Sequence, residues 1–336
     1  MQLLLLPLFG PLHLRWPALN TVTMRDQLAA FEPAQVFTTV LRPEELTGPG
    51  WQDTFELALP LSIVPWLRQR GLELTGVREE PHDREAADDF RRYASEMPAL
   101  QEQLRGWLQL EQQLTGLLGE ALTPERLNRE ALPLLRELRA ELLEAAGDGP
   151  ATGWLEERAA VMVERVLRDA GDGRVALIAS ADEVAALEAA FRERGVEPAA
   201  LDPALSPSAE ARQRGLLDYA MLTAGEEANP ALEEQLADLG FPEAEYLHAG
   251  LLMGRGEHAQ ALRVLEGAAN RDFSDPYYLP GFLLARLGQL RDAAGDRDGA
   301  RKAYRAVLAL SFVPQEARET AEEHMAAPFV PPQQSG

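Results

Sequence analysis

The chain contains no cysteine. That removes disulfides, thiol nucleophiles, iron–sulfur clusters and thiolate zinc sites together, and it fits a reducing compartment such as the cytoplasm. Lysine is nearly missing too: Lys302 is the only one, so the 32 Lys plus Arg residues are otherwise all arginine. A P-loop, a Schiff-base lysine or a pyridoxal enzyme needs a lysine beside its own loop or pocket, and Lys302 sits inside a helical pattern near the C-terminus. Positive charge is scarce overall. The formal charge of −22, with no basic stripe carrying interleaved aromatics, argues against nucleic acid and anionic membrane surfaces as partners. No apolar run reaches the ~18 residues that a membrane span needs. There is no Gly-x-Ser-x-Gly elbow and no His-Glu-x-x-His pair. The glycines of Ala170-Gly171-Asp172-Gly173 precede a strand rather than follow one, which is the wrong side for a dinucleotide fingerprint.

What is present suffices for two ordinary domains: 336 residues with 46% hydrophobic content can bury two cores without staples. The opening Met1-Gln2-Leu3-Leu4-Leu5-Leu6-Pro7-Leu8 lacks a basic leader and a small-residue cleavage site. It therefore reads as a buried first strand rather than a secretion signal. Four short apolar runs, at residues 2–6, 35–41, 72–77 and 174–179, read as strands buried on both faces. Helical patterns at 23–31, 54–70, 154–170 and 182–194 separate or follow them, and Gly71 and Gly195 stand where helix stops are expected. Strand and helix in alternation predict a mostly parallel sheet with right-handed crossovers.

Residues 84–146 interrupt that rhythm. Leu100, Leu104, Trp107, Leu108, Leu114, Leu117 and Leu118 recur at three- and four-residue spacing, which is one helix face. After Thr123-Pro124, a threonine cap with proline in the first turn, a second helix runs to Gly147. This is a helical hairpin inserted between the third and fourth strands, able to cover the sheet, act as a lid or meet a second copy.

From about residue 226 the strands stop and a repeat begins. Gly256-Glu257-His258-Ala259-Gln260-Ala261-Leu262 is echoed by Gly295-Asp296-Arg297-Asp298-Gly299-Ala300-Arg301. Matching glycines (295 − 256) and matching alanines (300 − 261) both lie 39 residues apart, and such self-similarity marks a helical repeat. With Leu287-Gly288 on the first helix of the second copy and Tyr304 on its second, the pattern resembles the tetratricopeptide repeat. It departs from it by an insertion of about five residues over the usual roughly 34, and by Ala249 where the first copy would carry glycine. A third helix at 315–326 would cap the array, and the proline- and glutamine-rich tail at 328–336 reads as disordered. The expected domains are thus 1–225 and 226–327.

In open parallel sheets, ligands bind beyond the carboxyl ends of the strands. The segments there are Phe9-Gly10-Pro11-Leu12-His13-Leu14-Arg15, Arg42-Pro43-Glu44-Glu45, Arg78-Glu79-Glu80-Pro81-His82-Asp83 and Ser180-Ala181-Asp182-Glu183. Imidazole with carboxylate suits general acid–base chemistry or a divalent metal. His13 and Asp182 are therefore the candidate catalytic pair and candidate metal ligands. Gly10, Arg15, Thr39, Glu44, Arg78, His82 and Ser180 are the candidate ligand-binding residues. The ordinary role of Glu44, Glu45, Glu79 and Glu80 is that of solvated charges, and Asp182 also suits a helix N-cap. His248, His258 and His324 fall apart from one another on repeat helices, where packing is their ordinary role.

A strand ending in Gly10-Pro11-Leu12-His13, a helix, the strand Val36-Phe37-Thr38-Thr39-Val40, inserted helices, and Glu156-Glu157-Arg158-Ala159-Ala160 leading to a further strand together resemble the Tiki/TraB superfamily. That superfamily includes ChaN-like and erythromycin-esterase-like proteins. The resemblance covers about residues 1–200. It implies an α/β fold with two Gly-x-x-His motifs and a strand glutamate, in proteins that are metal-dependent peptidases, histidine/glutamate esterases or haem binders. Here the first motif matches at Gly10 and His13, the second reads Ala179-Ser180-Ala181-Asp182, and Thr39 stands at the glutamate position.

Together these features predict an α/β domain with a mostly parallel sheet and an inserted helical hairpin, followed by an all-α, tetratricopeptide-like domain. The expected function is that of a degenerate Tiki/TraB-like binding protein. It would hold a small-molecule ligand or divalent metal at the sheet edge and a protein or peptide on the repeats. The alternative is a hydrolase of peptides or esters using His13 and Asp182.

Overall fold

Leucine at every position from 3 to 6 leaves no polar face for solvent, so the first strand must be covered on both sides. In the computed structural model, which describes residues 1–48, 50–78, 92, 104–146, 154–223 and 229–331, it is. Strand β1 (Gln2–Leu8) is buried from Leu3 to Leu8. It pairs in parallel with β4 (Arg174–Ser180), which pairs with β2 (Gln35–Thr38), which pairs with β3 (Leu74–Gly76), giving one parallel sheet in the order β1-β4-β2-β3. A mixed α/β architecture with a small parallel sheet is therefore established. The outer side of β1 is bridged by Ala199, whose N–H donates to Leu3 and whose carbonyl accepts from Leu5.

The helices begin and end where local chemistry dictates. Asn20, fully buried, accepts from the N–H groups of Val22 and Thr23 and so caps the helix Thr21–Phe31. Gly71 and Gly195 take left-handed φ values after the helices that they close. The expected helix at 54–70 starts late: a π turn at Leu59–Ile63 leads into Val64–Gln69. Pro60 favours the first turn of a helix, and Pro65 withholds an N–H from the ladder. Residues 54–57 are consequently free to run as a link outside the helix. Strand β2 stops at Thr38 rather than 41, because the Thr38 hydroxyl accepts the N–H of Val40 and turns the chain.

Of the inserted segment, the helices Arg105–Leu118, Pro124–Arg126 and Leu132–Ala146 are described, the latter two joined by a π turn at Leu127–Ala131; Leu100 lies outside the described residues. Thr123 caps as expected, accepting the N–H of Arg126 at 3.2 Å. Leu117, Leu118, Leu122, Leu127, Ala131 and Leu132 join the main core, and the Trp16 indole N–H donates to the Leu118 carbonyl. Arg136 forms a two-pronged ion pair with Glu188 on the helix Val184–Glu193. These contacts hold the described part of the insertion against the core.

Two compact units divide after Gly215, inside the helix Ala209–Leu222, earlier than the expected boundary at 225. The second unit contains the helices Pro230–Leu239, Pro242–Gly254, His258–Ala269, Leu279–Ala293, Arg297–Leu308 and Gln315–Ala326, each of the last five packed on its predecessor. Gly256 and Gly295 turn the chain at φ 78° and 82°, while Ala261 and Ala300 are fully buried between helices. Gly288 faces the buried ring of Tyr304: a Cβ there would lie 2.3 Å from the nearest ring carbon. Glycine to alanine inside a helix normally gains about 1 kcal/mol, but here the overlap reverses the sign. Gly288→Ala is expected to cost about 1–3 kcal/mol, read as a lower urea midpoint of the full chain; a raised midpoint would show that the ring yields.

Candidate functional site

Parallel pairing brings all four carboxyl ends to one edge, with Leu8 opposite Ser180, and Thr38 opposite both Ile178 and Gly76. Beyond that edge the chain gathers a buried polar cluster. Two carboxylates organise it. Glu183 accepts the Thr39 hydroxyl on one oxygen and the Arg78 guanidinium on the other, and Arg78 also donates from Nε to the Thr39 carbonyl. Glu56 accepts the Ser180 hydroxyl and the Gly10 N–H, each at 2.7 Å. The exposures of Glu56, Arg78 and Glu183 are 1%, 3% and 2%. Burying charges this deeply is tolerable only because each meets a donor or an opposite charge.

Burial pushes the Glu183 carboxyl up to about 7, against the pull of Arg78 and with a further push from Asp182. Gly10 occupies φ 58°, and a Cβ would fall 2.1 Å from the Phe55 ring. Glycine is required here both for backbone conformation and for room, so its role is to let the chain meet Glu56 rather than to approach a ligand.

His13 must be corrected. It lies in the 3-10 turn Gly10–Leu14 and is fully buried, edge-on to Phe9 and Trp16. Its Nδ1–H donates to the Leu19 carbonyl at 2.6 Å, and its Nε2 accepts the Phe9 N–H at 3.1 Å. Burial lowers its pKa to about 4, with the bond to Leu19 opposing. A neutral ring with both nitrogens engaged by backbone has no lone pair left for a metal or a substrate proton. The tight turn does aim the ring, but inward.

Asp182 lies on the exposed side of the 3-10 turn Ala181–Glu183; its neighbour Glu183 is the residue turned into the cluster. With His13 buried and both its nitrogens on backbone and Asp182 exposed, the expected pairing of the two around an ion is not assembled; among the described residues no group of three or more histidines and carboxylates is placed to hold a metal. Thr39, Arg78, Ser180 and Gly10 do come together. Arg15 is exposed, Glu44 is exposed and paired with Arg42 at 3.0 Å, and His82 lies outside the described residues. Glu56 was not among the candidates. Its position 46 residues from Gly10 gives no local signal, and reading 54–70 as one helix hid it; Pro60 was the available warning.

Chemically the cluster fastens strand ends. All four carboxylate oxygens are engaged, and among the described residues the buried Arg78 Nη1 has no hydrogen-bond partner. The class defined is a mixed α/β protein with a small parallel sheet and a helical second unit. No family model, curated protein or solved structure matches the chain. Among the described residues no helix is long and apolar enough to cross a membrane.

Proposed function

We propose that this chain is a binding protein whose stacked helices hold a protein or peptide partner, in a reducing compartment such as the cytoplasm. The carrying observation is the engagement of both His13 nitrogens by backbone, which takes the base from the hydrolase reading. The α/β unit is then a degenerate Tiki/TraB-like scaffold. Its edge carboxylates are fully engaged by neighbouring donors, and Arg78 Nη1 is the donor there that a small-molecule ligand could meet; a divalent metal would need carboxylate oxygens that are already occupied. The second unit is a tetratricopeptide-like module. Supporting that reading are the glycine turns at Gly256 and Gly295, the small contacts at Ala261 and Ala300, and the Gly288–Tyr304 fit. Stacked hairpins of this kind form extended surfaces suited to peptides and helices.

The test is affinity capture with the full chain, followed by reconstitution with the purified partner. A saturable complex is expected, weakened by substitutions in the helical unit and indifferent to Arg129→Ala on the exposed face of the insertion. Turnover of an ester or peptide panel by protein carrying stoichiometric manganese, cobalt or zinc would restore the hydrolase instead.

A further inference from the structure

Many of the partly buried arginines meet a carboxylate, as Arg25, Arg136, Arg255 and Arg297 do. Arg286, on the helix Leu279–Ala293, is partly buried, and among the described residues no carboxylate pairs with it. Its guanidinium instead lies 4.2 Å from the centroid of the Tyr246 ring and donates from Nη1 to the Tyr246 carbonyl at 3.3 Å. Opposite stands Gly250, where a Cβ would approach Nη1 to 2.8 Å. The glycine therefore leaves the space the cation occupies. Glu316, the carboxylate that acts on Tyr246 through space, makes no ion pair with Arg286.

From Tyr246 a chain of rings runs on through Phe282, Tyr278, Tyr277 and Phe312, with successive centroids 6.4, 6.1, 5.8 and 5.3 Å apart. Phe282, Tyr277 and Phe312 are partly exposed. A guanidinium held by ring stacking and one carbonyl keeps unused donors in a fixed fork, the geometry that suits a carboxylate.

We propose that the Tyr246–Phe282–Arg286 face binds a peptide segment that presents one Asp or Glu carboxylate to Arg286 and an adjacent apolar side chain to the rings. This rests on the binding reading above and names its partner chemistry. The probe is a panel of fluorescein-labelled decapeptides, each with one Asp or Glu next to one Leu or Phe in a Gly/Ser background, beside a matched panel with Asn or Gln for the acid. Anisotropy with the full chain should show saturable binding of acidic members, at least about tenfold tighter than their amides and weakened by salt. Arg286→Gln should lose at least about tenfold with circular dichroism unchanged, and Arg286→Lys should recover part as a point charge. Should either variant lose helicity, the acid-against-amide difference on the unaltered chain decides. Equal binding of both panels, no saturable binding, or binding indifferent to Arg286→Gln overturns the proposal. A captured partner that binds the Arg286→Gln chain undiminished would also overturn it while leaving the binding reading standing; failure to reconstitute any partner would sink that reading, with the panels still deciding this one.

Discussion

Glu183→Leu should destabilise the protein by about 3–5 kcal/mol, because it strands the Arg78 guanidinium in a buried site with its compensating charge gone. The Thr39 hydroxyl would lose its acceptor in the same step. Paired replacement should behave differently. Arg78→Met with Glu183→Leu removes both charges together, and buried pairs exchanged for apolar side chains of similar volume are often neutral or better. The double variant should therefore recover most of the loss, and urea unfolding of the four chains in a double-mutant cycle measures it. A cost for Glu183→Leu no larger than the few tenths of a kcal/mol typical of an exposed helical pair such as Arg126–Glu130 would mean that the cluster is wet rather than closed.

Acid should weaken the fold through His13. Its folded pKa is lowered to about 4 by burial, whereas the unfolded ring takes up its proton near 6.5. Between those values the unfolded state binds more protons, so stability falls as pH drops from about 6.5 to about 4, by about 3 kcal/mol in all. Glu183 works in the opposite sense. With its folded value pushed up to about 7, the folded state binds more protons above the unfolded carboxylate range, so that group's contribution is lost as pH rises through about 7. The two slopes oppose one another between about pH 4.5 and 6.5, and Glu183→Gln should steepen the loss of stability toward acid by removing the opposing slope. Nitrogen-edited NMR gives the direct check: the His13 ring should stay neutral, with the proton on Nδ1, down to about pH 5. A His13 resonance titrating near 6.5 would show that the ring is not locked between Phe9 and Leu19.

Much of the architecture was readable along the chain. The strands at 2–8 and 174–180 are built around the apolar runs 3–6 and 175–179, and such runs suit a parallel sheet covered on both faces. The helical character of the second unit was readable, and Gly256 with Gly295, and Ala261 with Ala300, take matching turn and buried positions in it. The candidate site was readable only in outline. The four strand ends were the right place, and Gly10, Thr39, Arg78 and Ser180 do meet there, yet the two acids that bind them together were missed. In a 3-10 turn neighbouring side chains point about 120° apart, so whether Asp182 or Glu183 faces inward depends on where the turn starts after β4. Glu56 depended on where a helix starts, which two prolines shifted.

Composition and pattern by themselves excluded thiol chemistry, called for a parallel sheet and a helical second unit, and marked the edge where polar groups would collect, since those outcomes follow from residue type and spacing. Tertiary structure alone decided that His13 points inward onto backbone, that Glu56 and Glu183 close the edge, and that Arg286 lies over Tyr246 without an acid. The physical reason is that a side chain's partner is chosen by where distant backbone brings it. A hydrogen bond between residues 46 or 105 positions apart leaves no local trace in the order of the amino acids.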